Sequence, residues 1–147
     1  MKTAVIIIFL NPANDGAYLL FKRFAKILGL LSLNKIKVLD TPCFSGEYLY
    51  TLGSARQHEI ADRIRAFNPD MVFVIYEDYR HQKQPLNDFL FQLHGAVAPV
   101  QIYLSEYSEK STLSSDDRQK LIDAGIKFAD ADVLATNTLP IIQAVQS

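Results

Sequence analysis

AFNPDMVFVIYEDY, residues 66–79, decides the fold. Pro69 and Asp70 introduce an unbroken apolar run, Met71 to Tyr76, which stops at Glu77 and Asp78. A run that short, bounded by turn formers and rich in Val and Ile, reads as a β-strand rather than a helix. A strand apolar on both of its faces has to be covered on both, which is the habit of parallel sheets layered between helices. Two adjacent carboxylates at its end then belong either to a binding site or to the rim where the sheet meets water.

Working outward, the same logic applies to Val5–Leu10, a second continuously apolar strand followed by the turn-forming Asn11-Pro12-Ala13-Asn14-Asp15-Gly16. Leu20, Phe24, Ile27, Leu28 and Leu31 recur at helical spacing, with Lys22, Arg23 and Lys26 on the opposite face. Lys35–Asp40 alternates charged and apolar residues, as an edge strand does. Thr41–Gly53 carries Pro42, Gly46 and Gly53 and reads as irregular. Ser54-Ala55-Arg56-Gln57 has the form of a capping box opening a helix to Phe67 that turns Ile60, Ile64 and Phe67 inward.

Past the opening stretch, Pro85 fits the first turn of a third helix with Phe89, Leu90 and Leu93 in its core. Val100–Leu104 is the next strand. Ser114-Ser115-Asp116-Asp117 caps a fourth helix carrying Leu121, Ile122 and Phe128 or Ala129, with Gly125 inside it at a cost of roughly 1 kcal/mol. Asp132–Ala135 reads as a fifth strand and Leu139–Val145 as a short last helix.

Strict β–α alternation predicts one α/β domain over residues 1–147, a doubly wound five-stranded parallel sheet of flavodoxin-like or Rossmann-like type. Placing the two continuously apolar strands centrally gives the strand order 2-1-3-4-5. In such sheets ligands bind outside the carboxyl ends of the strands, where the winding reverses. The loops delivered there make Asn14, Asp15, Gly16, Glu77, Asp78, Ser105, Glu106 and Asn137 the candidate ligand-binding residues.

Composition narrows the rest. The chain has 147 residues, 49% apolar and 21% charged, with a formal charge of −1, so no basic footprint for nucleic acid is present. One cysteine, Cys43, cannot form an internal disulfide, and Ala4–Leu10 is too short to span a bilayer, with no secretory cleavage signature. A cytoplasmic protein with no membrane span is expected. His58, His81 and His94 share no metal-ligand spacing, so no metal site is predicted, and the turn at Asn14–Ala17 lacks a dinucleotide or P-loop pattern, so no cofactor is predicted either.

The second half carries a family likeness. FNPDMVFV, then APVQIYLSEY, then a segment ending FADADVLATNTLPIIQAV, resembles the N-terminal domain of GT-B glycosyltransferases and related sugar epimerases, and AVIIIFLNPANDGAYLLFKRFAKIL is similar to their first strand, turn and helix. The resemblance implies a Rossmann-like half-domain on the acceptor side. The family's paired glycines stand here as Asp15-Gly16, and the second, donor-binding domain is absent from this sequence. The implied role is therefore a half-domain without turnover of its own, binding an acceptor or a partner glycosyltransferase chain, with a partner protein or a small molecule as its ligand.

Two further likenesses give alternatives. PDMVFV followed by APVQIYLS resembles a receiver domain, but Ile75 stands where the phospho-accepting aspartate would be, which leaves a flavodoxin-like or pseudo-receiver interaction module without catalysis. YTLGSARQHEIADRIRAFNPDMVFV is similar to the N-terminal domain of a family of ribosome-associated GTPases.

Overall fold

The computed structural model describes residues 2–10, 17–45, 53–77, 79–107 and 112–129. In chain order the elements are β1 (Thr3–Leu10), α1 (Ala17–Leu33), β2 (Lys37–Asp40), β3 (Cys43–Ser45), α2 (Ser54–Ala66), β4 (Met71–Tyr76), α3 (Tyr79–Val97), β5 (Gln101–Glu106), α4 (Ser115–Asp123) and β6 (Lys127–Phe128). All strand pairings are parallel. Among the described residues the sheet has six strands in the order β2-β1-β4-β5-β6, with β3 also on β1.

The order differs from the expected 2-1-3-4-5 because the segment read as irregular contributes a strand. Val5 faces Asp40 and Ile8 faces Cys43, so β2 and β3 run along the same side of β1 as one ribbon. The ribbon is interrupted at Thr41-Pro42, where the Ile8 amide donates to the Pro42 carbonyl at 2.9 Å. A one-residue register shift falls between Ala4 and Val5. At the other end, the strand pairing with β5 is Lys127–Phe128; the expected strand Asp132–Ala135 and helix Leu139–Val145 lie outside the described residues.

Alternation along the strands sorts the core into two layers. Val5, Ile7, Phe9, Val72, Val74, Tyr76, Ile102 and Leu104 pack against α2, α3 and α4. Ala4, Ile6, Ile8, Met71, Phe73, Ile75 and Tyr103 pack against Ile27, Leu30 and Leu31 of α1. Both central strands are buried on both faces, which is the physical reason their sequences are apolar without alternation. Aromatic contacts reinforce each layer: Phe73 stacks on Tyr103 at 5.2 Å, and Phe9 meets Phe89 edge-on at 5.5 Å.

Helix ends follow local chemistry, with several departures from the sequence reading. Gly125 does not lie inside α4: at φ 93° it terminates the helix, with Gly125 N–H donating to Ile122 and Ile126 N–H to Leu121. This is the paired bond pattern that closes a helix through a left-handed residue. α1 ends the same way through Lys35, at φ 58°. The Ser114 hydroxyl accepts from Asp117 N–H at 3.1 Å and caps α4. α2 has no capping box; Gly53 is its N-cap without a side-chain bond, and Gln57 is buried and accepts from Gln92 of α3 at 3.3 Å. Pro85 sits inside α3 rather than in its first turn, because the helix already starts at Tyr79. Phe67 and Ile122, expected in the core, are exposed, each lying at or near the end of its helix.

The amino ends of the central strands are clamped together. Thr3 N–H donates to Asp70 Oδ2 at 2.7 Å and the Thr3 hydroxyl to the same oxygen at 3.1 Å, while Asp70 N–H donates to the Thr3 carbonyl at 3.0 Å. The Pro-Asp pair ahead of the apolar run thus fixes the register that sets Ala4 beside Met71 and Ile8 beside Ile75.

Candidate functional site

The winding reverses at β1. The chain leaves it through α1 on one layer to reach β2, and returns through α2 on the other layer to reach β4. The carboxyl ends of β1, β4 and β5 therefore flank the switch point where ligands of such sheets bind.

Three of the residues expected there are described. Glu77, the first residue after β4, is 5% exposed, so the carboxylate that ends the apolar run is buried instead of projecting from a rim. Ser105 and Glu106, expected in a loop, belong to β5, opposite Ile75 and Tyr76. Polar residues that look like a strand end in the sequence are the last two rungs of the ladder. Asn14, Asp15, Gly16, Asp78 and Asn137 lie outside the described residues.

Each of the three has a distinct environment. Ser105 is 1% exposed, and its buried hydroxyl has no hydrogen-bond partner among the described residues. Strand alternation places it in the α1 layer with Tyr103. Glu106 is engaged in holding the chain: its carboxylate accepts the Thr112 amide at 2.9 Å and the Thr112 hydroxyl. Those bonds draw the start of α4's approach back onto the end of β5.

Tyr107 also takes part at this end of the sheet. Its amide donates to the Tyr76 carbonyl at 2.9 Å, continuing the β4–β5 ladder, and its hydroxyl donates to the Phe9 carbonyl at 3.3 Å. The phenol therefore reaches from β5 past β4 to β1 and closes the carboxyl end of the sheet on the α1 layer, where it is buried. A tyrosine two residues beyond Ser105, on the same strand face, was the available signal.

Charge elsewhere is peripheral. Among the described residues no group of three or more His, Cys, Asp or Glu side chains could hold a metal ion. His58 lies on the exposed face of α2, 3.5 Å from Asp62. Cys43 is exposed at the sheet edge, where partial burial and then the nearby Asp40 push its thiol above the ordinary value. Asp117 joins Lys83 at 2.8 Å, and that bond holds its carboxyl below the usual range. A concavity of about 350 Å³ lies at the β6 edge of the sheet, lined by Gln101, Arg118, Ile122 and Phe128, with the Arg118 guanidinium 4.3 Å above the Phe128 ring.

No protein-family model matches the chain, and no curated protein matches it. Among solved structures, a fragment from Peptoclostridium difficile 630 described as a "putative lipoprotein" is similar, with a TM-score of 0.52 and 15% identity. The match covers 99% of this chain and 100% of that one. At that identity the likeness concerns the fold alone, an α/β domain with a parallel sheet flanked by helices, compatible with a Rossmann-like arrangement. No helix among the described residues is long and apolar enough to cross a membrane.

Proposed function

We propose that this chain is a non-catalytic ligand-binding domain, the acceptor-side counterpart of a GT-B-like half-domain, which takes a polar, hydroxyl-bearing ligand at the carboxyl ends of β1, β4 and β5. The observation that carries the reading is Ser105. A buried hydroxyl left without a partner costs about 1–3 kcal/mol, and a ligand group that donates to it or accepts from it offsets that cost. Its place beside the switch point, with the buried carboxylate of Glu77 ending the adjacent strand, supplies one neutral and one acidic group suited to sugar hydroxyls. The sequence likeness to GT-B N-terminal domains supports the same ligand class. Asp15-Gly16 in place of the family's paired glycines weakens a nucleotide-sugar contact and favours binding over turnover in this reading.

A thermal-shift screen of monosaccharides and nucleotide sugars tests this. The expected result is a rise in Tm with at least one hydroxyl-rich compound, lost in Ser105→Ala and Glu77→Gln, with no product formed by the wild type. An unchanged Tm across the panel, or equal binding by Ser105→Ala, assigns Ser105 to an internal water and removes the proposal.

A further inference from the structure

Among the described residues, the outer face of α1 carries the most exposed large apolar side chains. Opposite the buried Ile27, Leu30 and Leu31, the helix exposes Tyr18 (72%), Phe21 (71%), Lys22, Lys26 and Leu33 (79%). Residues 17–39 contain five of the chain's 15 lysines and arginines and none of its 16 acids. A domain whose formal charge is −1 therefore has, in α1, a helix about 25 Å long that carries no acid and exposes two aromatic rings beside its lysines.

Fold stability does not account for this pattern. Lys22 and Lys26 are four residues apart, a like-charge spacing that destabilises a helix by a few tenths of a kcal/mol. Neither forms an ion pair among the described residues, and neither lies in the last turn, where a cation would complement the helix dipole. Two large rings left in water gain nothing from folding, whereas moving them into an apolar phase would be favourable.

We propose that this face docks the domain peripherally on an anionic lipid bilayer, with α1 parallel to the surface. Charge complementarity selects the partner's sign, and the side chains select its kind. Tyr and Phe among lysines is the composition of helices that lie in the headgroup region, where rings enter the interface and lysine stems extend to the phosphates. Lysine is a mobile point charge suited to a fluid array of headgroups, whereas fixed carboxylates on a protein favour the planar fork of arginine. Three separated apolar side chains also form too sparse a patch for the dehydrated centre of a protein interface. Lys35 and Lys37, both exposed just beyond the helix, extend the basic surface toward the sheet edge.

Sedimentation with phosphatidylcholine vesicles, with and without roughly one-third phosphatidylglycerol, tests the proposal. The protein is expected to pellet with the anionic vesicles at low salt, to stay in solution with the neutral ones, and to be released at about 0.5 M salt, where screening shortens the Debye length to a few Å. Each lysine near an anionic surface contributes roughly fivefold in partitioning, so Lys22→Glu/Lys26→Glu should lower it about thirtyfold or more. Phe21→Ser should weaken it further. Lys127→Glu, at the far edge of the sheet, should leave it unchanged. All variants are checked for native circular dichroism. A folded wild type that ignores anionic vesicles overturns the proposal, as does equal loss with Lys127→Glu. Retention on immobilised polyglutamate without vesicle binding would assign the face to an acidic protein and likewise overturn it.

Discussion

Replacing Asp70 by alanine removes one carboxylate oxygen that accepts two bonds from Thr3, at 2.7 and 3.1 Å. Hydrogen bonds to a charged group contribute about 1.5–3 kcal/mol, and both residues are half-buried, so water replaces part of the loss. The expected destabilisation is about 2 kcal/mol, and for a chain of this size that lowers Tm by roughly 4–8 °C. Asp70→Asn keeps an acceptor in place and should cost about 1 kcal/mol or less. Thr3→Val deletes only the hydroxyl, so a double-mutant cycle with Asp70→Ala should return a coupling of roughly 0.5–1 kcal/mol. Urea unfolding at neutral pH measures all four species, and the slope against denaturant should stay constant if only the native state is affected. Asp70→Ala within about 0.5 kcal/mol of wild type, or Asp70→Asn as damaging as Asp70→Ala, would refute the clamp.

Gly125→Ala should lose about 1–3 kcal/mol, because φ 93° strains any L side chain and the new Cβ would sit 2.7 Å from His94 Nε2; adding His94→Ala should recover only the contact part, as read by thermal melts. Asp117 is held low by Lys83, so the pair supports folding above the ordinary carboxylate value and that support fades as pH falls through the lowered one. Carbon-detected NMR titration should show Asp117 moving up toward its ordinary value in Lys83→Met. Cys43, pushed up by burial and Asp40, should alkylate more slowly than a free thiol at neutral pH, and Asp40→Asn should speed the reaction; equal rates for both proteins would discard the electrostatic part.

The central strands were legible because burial on both faces leaves a signature that needs no partner to read: Val5–Leu10 and Met71–Tyr76 are apolar without alternation. The short ribbon strand Cys43–Ser45 was not, since Pro42 beside it reads as a loop and three residues carry no period. Gly125 was misplaced for a related reason. A glycine near the end of a helical pattern has the same sequence context whether it weakens the helix or terminates it, and only the backbone angle separates the two. At the site, polarity at the end of β5 pointed to solvent, yet Ser105 is buried and Glu106 is engaged by Thr112. Sequence reports what a residue could bind; burial depends on Tyr107 closing the end of the sheet, a contact between residues 98 positions apart.

The pairing of β1 with β4 also has a consequence for how the chain is made. Thr3 and Asp70 are separated by 67 residues, and all of the remaining β1–β4 ladder spans the same interval. At about 5–20 residues per second, the N-terminal strand waits several seconds during synthesis before its central neighbour exists. Throughout that interval Ala4–Phe9, all of them fully or nearly fully buried in the finished domain, have only β2 and β3 to pair with on one side. Parallel ladders closed over such distances form slowly even in the complete chain. The nascent protein is therefore most vulnerable to misassembly before Met71–Tyr76 emerges, and a chaperone that shields β1 would act in that window.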